Sequence, residues 1–175
     1  MRDKCEYAGE TRIWLQSSQI EAKMATPSNA GHYRNPVPTT DLVIEYGNRE
    51  KEGIVLITRK NPPHGFALPG GFAEWGLCLE DNARKEALEE TGLEVIIENP
   101  NRPYVYSEPD RDPRGHMISN TYYTRGLGIL KAGDDAKTAG IYTISEVIGL
   151  IESGALVFDH ARILGDYLRN RGYWR

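Results

Sequence analysis

Short runs of apolar and β-branched residues alternate along the chain with stretches rich in turn-forming residues. Two such runs, 39–46 and 53–58, flank the polar segment YGNREKEG, and this arrangement predicts two strands joined as a hairpin. Further strands are predicted at 93–97, 104–107, 117–130 and 141–144. Because few helical segments separate these strands, we expect a mixed sheet and not a regularly alternating parallel one.

Helical spacing marks other segments of the chain. In LCLEDNARKEALEETG, Leu79, Ala83 and Ala87 form one apolar stripe, and Gly92 follows as a C-terminal cap. Two more helices are predicted from Ser145 and Asp159. The preceding segment, KNPPHGFALPGGFAEWG, is too rich in proline and glycine for regular structure. The expected fold class is therefore α+β, a mixed sheet flanked by helices.

Carboxylates interrupt the apolar stripe of the first predicted helix. Glu86 and Glu90 lie within about 20° of Leu79 on a helical wheel, and Glu89 lies beside them. Burying an unpaired carboxylate is costly, and the C-terminal end of a helix disfavours anions by a further ~0.3–1 kcal/mol each. We therefore expect a bound cation, and oxygen ligands favour Mg²⁺ or Mn²⁺. The alternative is a solvated, acidic helix end.

Composition and charge narrow the functional classes. With 175 residues we expect one folded domain over 32–175, after an N-terminal arm over 1–31 with one short strand at 12–15. The net charge of -4 argues against a protein built to hold nucleic acid. The sequence offers no apolar run of the ~20 residues that span a bilayer. With only Cys5 and Cys78, a disulfide framework is not expected and a cytoplasmic location is favoured.

The segment GGFAEWGLCLEDNARKEALEETGL resembles the signature box of the Nudix hydrolases. Matching positions at the required spacing are Gly71, Glu86, Ala87, Glu89, Glu90, Gly92 and Leu93. Leu77 stands where the family has its first glutamate, and Lys85 stands where it has arginine. The segments NPVPTTDLVIEY, YSEPDRDPRGH and KAGDDAK are similar to parts of the Nudix ADP-ribose pyrophosphatases. The resemblance covers roughly residues 32–168.

This resemblance implies the Nudix fold, an α/β/α sandwich, and a Mg²⁺-dependent diphosphatase that converts ADP-ribose to AMP and ribose 5-phosphate. It implies that Glu86, Glu89 and Glu90 hold the metal, with the carbonyl of Gly71 as a backbone ligand. A further acidic residue, a base or metal ligand, is assigned to Asp135 or its neighbour Asp134. The family resemblance is also compatible with a homodimer.

Several other residues are candidates for substrate binding, each with a structural alternative. Arg111 and Arg114 could contact phosphates and His116 a ribose or phosphate oxygen, or the arginines could pair with Asp110 and Asp112 within a polar loop. Gly70 can bring bare backbone close to a ligand. Phe66 and Trp75 could stack on an adenine or pack the glycine-rich loop.

Cys5 lies in KCEYAGE, which is similar to half of the zinc ribbon that precedes some Nudix relatives. Ala8 stands where a second cysteine would be. One thiolate cannot supply a tetrahedral shell, so we do not expect a zinc site.

Three functional hypotheses remain open at this stage. The first is hydrolysis of ADP-ribose. The second is a catalytically weak Nudix domain that binds a nucleotide metabolite as a sensor, and it is suggested by Leu77, Lys85 and Thr138, the last standing where related sequences more often carry glutamate. The third keeps the hydrolase but changes the substrate to a diadenosine polyphosphate, a nucleoside triphosphate or a nucleotide sugar.

Overall fold

The computed structural model describes residues 35–132 and 136–174, which contain eight strands and three helices. The strands are β1 (Val37–Gly47), β2 (Glu52–Arg59), β3 (Phe66–Ala67), β4 (Gly70–Phe72), β5 (Leu93–Ile97), β6 (Tyr104–Tyr106), β7 (Met117–Gly128) and β8 (Ala136–Tyr142). The helices are α1 (Leu79–Thr91), α2 (Ile144–Glu152) and α3 (His160–Asn170).

One mixed sheet contains all of these strands, in the central order β3-β2-β1-β7-β5. Strands β1 and β7 run parallel, and the remaining pairs are antiparallel. The predicted hairpin between β1 and β2 is confirmed. Along one edge of β1 the partner changes, from β4 at 39–41 to β2 at 44–47. Strands β4 and β2 therefore occupy different parts of the same edge of β1.

Both faces of the sheet are covered by helices, because apolar residues point to alternate sides of its central strands. On one face, Leu42 and Ile44 of β1 pack with Ala83 and Ala87 of α1. On the other, Val43 belongs to a buried cluster with residues of α2 and α3, including Val147, Ile163, Leu164 and Leu168. The α/β/α arrangement expected from the sequence is therefore confirmed.

Two predictions about local structure were wrong. The glycine- and proline-rich segment before α1 contains two short strands, β3 and β4, because their backbones pair with β2 and β1. A strand was predicted at 141–144, but β8 begins earlier, at Ala136, and ends at Tyr142. Ile144 begins α2, because a capping box at Thr143 closes the N-terminus of that helix.

Some predictions fall outside the described residues. The boundary after residue 31, the strand at 12–15 and Cys5 all lie there. Within the described part of the chain, no helix has the length and apolarity that crossing a bilayer requires.

The C-terminal end of α1 gives a test of the fold. Gly92 adopts a left-handed conformation with φ of 69° and caps the helix by donating its N–H to the carbonyl of Leu88. Since an L side chain in this conformation costs roughly 1–2 kcal/mol, Gly92→Ala should lower the free energy of unfolding by about that amount, measured by chemical denaturation.

Gly149 is the matched control, since it lies within α2 and an added Cβ there would meet no atom within 4 Å. Gly149→Ala should raise stability by about 0.5–1 kcal/mol. Equal effects of the two substitutions would contradict the assigned role of Gly92.

Candidate functional site

A cleft of about 360 Å³ lies among the end of β2, strand β4 and helix α1. Its lining includes Ile57, Arg59, Lys60, Asn61, Gly70, Gly71, Phe72, Glu74, Glu86, Glu90 and Arg114. A smaller cavity of about 50 Å³ shares Arg59, Gly70, Gly71, Phe72 and Arg114 with it and continues to Asp41 and His160. The two cavities together join carboxylates, arginines and bare backbone.

Strand β4 forms the glycine wall of this cleft. A Cβ on Gly70 would lie 2.2 Å from the carbonyl oxygen of Thr40, and the residue has a φ of 153°, which favours glycine. A Cβ on Gly71 would lie 2.5–2.7 Å from the carboxylate of Glu86. Neither position accepts a side chain, so β1, β4 and α1 can approach one another closely.

Asn82, in the first turn of α1, ties the helix to this wall. Its side-chain amide donates to the hydroxyl of Thr40 at 2.8 Å and to the carbonyl of Phe72 at 3.2 Å, while its Oδ1 accepts from the N–H of Glu74 at 3.0 Å. The residue is fully buried. Its three hydrogen bonds set the position of α1 relative to β1 and to the chain after β4.

The three predicted metal ligands occupy different environments. Glu90 is only 9% exposed and accepts a hydrogen bond from the N–H of Gly70 at 2.8 Å, while Glu86 faces Gly71. Glu89 lies on the exposed side of α1, where it pairs with Lys85 at 2.7 Å. Lys85 also contacts Glu74 at 2.9 Å, and these two carboxylates, with the hydrogen bond to Glu89 as the larger cause, raise its pKa. Two of the three glutamates thus line the cleft.

The donors in the cleft fit a hard divalent cation by their chemistry. Carboxylate oxygens of Glu86 and Glu90 and the backbone of Gly71 lie at one wall, and such oxygen ligands suit Mg²⁺ or Mn²⁺. Among the residues described, no three His, Cys, Asp or Glu side chains already form a metal cluster. Recruiting Glu89 would break its contact with Lys85, an exposed pair of a kind that stabilises by only ~0.3–0.5 kcal/mol.

Arginines and aromatic rings form another part of the lining. Arg114 makes a bidentate contact with Asp112, at 3.0 and 2.7 Å, and lies 5.3 Å from the ring centre of Phe72 and 4.7 Å from that of Phe158. Arg59 lies 5.0 Å from the same Phe158 ring. The structure therefore brings the predicted Arg114 to the cleft and adds Arg59, which was not predicted.

Arg111 instead belongs to a buried cluster at the floor of the smaller cavity. Its side chain is 3% exposed and forms a bidentate pair with Asp159, at 2.9 and 2.5 Å, and not with Asp110 as the sequence alternative proposed. Asp41 lies 3.9 Å from Arg111 and accepts a short hydrogen bond from Ser119. The guanidinium of Arg111 is thus already bound to a carboxylate within the protein.

The remaining candidates lie in other surroundings. His116 is exposed and contacts the carbonyl of Ser107, and Phe66 packs edge-on against Tyr142 at 5.4 Å. Trp75 is 85% exposed. Asp135 and Asp134 lie outside the described residues.

Several residues of the site were not predicted from the sequence. Asn82 and Asp41 lie inside a helix and a strand, where a single polar residue usually faces solvent. Arg59 ends a strand as an ordinary surface cation would, and Phe158 precedes a helix. A polar residue on an apolar face was informative for Glu86 and Glu90. Asn82 directly precedes Ala83 and so lies about 100° from it around the helix, off the apolar stripe, where this criterion does not identify it.

Comparison with known proteins matches the chain to one domain family. The chain matches the NUDIX domain family over residues 37–164. It is 44% identical over 140 residues to an ADP-ribose pyrophosphatase of Methanocaldococcus jannaschii, covering 78% of this chain and 76% of that protein.

Among solved structures, a MutT/nudix family protein from Enterococcus faecalis superposes with a TM-score of 0.65 at 25% identity, covering 89% of this chain and 70% of the other. The NUDIX domain of Shewanella oneidensis NrtR, solved with ADP ribose, superposes with a TM-score of 0.68 at 18% identity. That pair covers 90% of this chain and 99% of the other, and at this identity it supports the fold alone.

The protonation of His160 gives a test of the smaller cavity. Its Nδ1 accepts from the N–H of Leu68 at 2.9 Å, and Nε2 lies 3.6 Å from Asp41. Burial lowers the pKa of His160 below its ordinary value of 6.5, although the charges of Asp41 and Asp159 act in the opposite direction. Below about pH 6.5 the unfolded chain therefore binds this proton more readily than the folded protein does, and folded stability falls as pH decreases, by up to about 1.4 kcal/mol per pH unit.

Denaturation curves between pH 7 and 5 measure this contribution. His160→Gln should be less stable at pH 7 but should lose less stability on acidification than the unaltered protein. Parallel pH dependences of the two proteins would contradict a buried neutral imidazole.

Proposed function

Because the chain belongs to the Nudix hydrolase family, we propose that its reaction is the hydrolysis of ADP-ribose to AMP and ribose 5-phosphate with a bound divalent cation, Mg²⁺ or Mn²⁺. The observation that carries this proposal is the composition of one cleft, in which Glu86 and Glu90 share the lining with Arg59 and Arg114. A divalent cation and arginines around its oxygens both stabilise the charge of a bound diphosphate. The likeness to an ADP-ribose pyrophosphatase supports the choice of substrate.

Helix α1 and strand β4 would hold the cation through Glu86, Glu90 and the carbonyl of Gly71, with Glu89 released from Lys85. When bound, the cation supplies Lewis-acid activation of water and neutralises charge on the diphosphate. The N–H of Gly70 keeps Glu90 oriented by its 2.8 Å hydrogen bond. A carboxylate fixed in this way requires little reorganisation when charge develops during the reaction.

The protein's other groups bind and orient the substrate. Arg114 is fixed by Asp112 and can direct its remaining N–H groups to phosphate oxygens. The family resemblance assigns the base to Asp135. Contacts of His116, Phe66 or Arg111 with substrate remain predictions, as do the homodimer and the cytoplasmic location.

The central test is the loss of activity when the glutamates of α1 are neutralised. Glu90→Gln and Glu89→Gln should each lower Mg²⁺-dependent release of AMP from ADP-ribose by roughly 10²-fold or more, since metal-site residues typically carry effects of 10–100-fold or greater. Activity is followed by chromatographic product identification across Mg²⁺ and Mn²⁺ concentrations.

Glu94→Gln makes the same chemical change on an exposed residue of β5 and should retain full activity. If Glu90→Gln matched this control, the assigned metal site would be wrong. Release of AMP from another nucleotide, with none from ADP-ribose, would keep the metal site and change the substrate.

Leu77 tests whether the departure from the family pattern weakens catalysis. This residue is 41% exposed in the loop before α1, so a longer polar side chain is accommodated there without burial. Leu77→Glu should increase kcat/KM or lower the Mg²⁺ concentration needed for half-maximal rate, because a further carboxylate strengthens cation binding.

Leu77→Gln is the matched control, with similar size and no charge. An equal response to the two substitutions would show that the charge at this position is irrelevant. Tight binding of ADP-ribose with negligible turnover in the unaltered protein would favour the sensor hypothesis.

A further inference from the structure

Arg59 lines the cleft, and its guanidinium contacts a backbone carbonyl and an aromatic ring. Its Nε donates to the carbonyl of Pro63 at 3.1 Å, and its guanidinium carbon lies 5.0 Å from the ring centre of Phe158. Arg114 differs, because Asp112 holds it in a bidentate pair. Arg59 therefore retains donor groups for an anion in the cleft.

The electrostatic surroundings of Arg59 also favour an anionic ligand. Burial and the neighbouring positive charge of Arg114 lower the pKa of Arg59, while the charges of Glu90, Asp112 and Asp41 act in the opposite direction. An anion that contacts both arginines offsets the repulsion between their positive charges. A diphosphate carries several anionic oxygens that can accept hydrogen bonds from two guanidinium groups.

Phe158 connects these two arginines. Its ring lies within cation–π distance of both guanidinium groups, at 5.0 Å from Arg59 and 4.7 Å from Arg114. Among the described residues other than glycine, Phe158 alone has a positive φ, of 57°. A bulky side chain in this conformation is strained, and such strain persists where flanking structure enforces it.

The flanking structure does enforce it. Before Phe158, the N–H of Val157 donates to the carbonyl of Phe66 at 2.9 Å, which anchors the segment beside β3. After it, Asp159 is the N-cap residue of α3, but its carboxylate binds Arg111 and makes no capping hydrogen bond to the helix. The next residue, His160, is held by Leu68. The turn from Phe158 to His160 is thus held from both sides, and Phe158 and His160 line the smaller cavity.

We propose that Arg59 is a diphosphate-binding residue and that Phe158 is a positioning residue that holds Arg59 and Arg114 in place for it. This inference rests on the proposed function for the identity of the substrate, but the contact with a diphosphate does not depend on ribose or adenine. Inorganic pyrophosphate can therefore test it separately.

The first experiment measures binding of inorganic pyrophosphate in the presence of Mg²⁺ by calorimetry, and KM and kcat for ADP-ribose. Arg59→Gln should weaken pyrophosphate binding by at least roughly tenfold, the loss of one charge-assisted hydrogen bond. Arg84→Gln removes the same charge from an exposed residue of α1 that pairs with Asp81, and it should bind as the unaltered protein does.

Equal binding by the Arg59→Gln and Arg84→Gln proteins would overturn the inference, as would absence of pyrophosphate binding by the unaltered protein. If pyrophosphate binding depends on Arg59 while ADP-ribose is not hydrolysed, the choice of substrate fails and the inference stands. If ADP-ribose is hydrolysed and Arg59→Gln has unchanged KM, kcat and pyrophosphate binding, the proposed function stands and the inference about Arg59 fails.

The second experiment separates positioning from packing at Phe158. Phe158→Leu keeps an apolar side chain in the same backbone conformation but removes the ring, and it should raise KM for ADP-ribose and weaken pyrophosphate binding by several fold. Phe158→Tyr keeps the ring and should restore both. A loss of thermal stability in Phe158→Leu with unchanged KM and pyrophosphate binding would assign the ring to packing alone.

Discussion

The close approach of strand β4 to both β1 and α1 is the constraint on which the site depends. It exists because Gly70 and Gly71 have no side chains at points where a Cβ would meet the Thr40 carbonyl and the Glu86 carboxylate. With the backbone bare, the N–H of Gly70 reaches Glu90. Strands β4 and β2 pair with successive parts of the same edge of β1, and the cleft lies between β4 and the end of β2.

Polar contacts that are buried maintain this geometry. Asn82 has partners in β1, at the end of β4 and in the chain beyond it, so α1 cannot shift without leaving buried polar groups unsatisfied. Such hydrogen bonds specify one arrangement more strictly than the small side chains Ala83 and Ala87 could by packing alone. Catalysis by positioned carboxylates requires that degree of order.

The turn before α3 has a second organising role. Asp159 occupies the N-cap position yet binds Arg111 with its carboxylate, although a capping bond is typically worth about 1 kcal/mol. Phe158 adopts a left-handed backbone beside it. Local stability is given up at both residues, and what the fold gains is a set of cations held around the cavity.

The sequence by itself determined the features that local periodicity encodes: the β1–β2 hairpin, the mixed sheet, α1 with its cap at Gly92, and glutamates placed on the apolar face of that helix. Tertiary structure alone decided the rest. The short strands β3 and β4 exist because distant strands pair with them, and Arg111 found its partner 48 residues away at Asp159. Which glutamate faces the cleft was likewise decided by the approach of β4. A helical wheel defines directions around one axis, whereas these contacts depend on which segment the chain brings to that face.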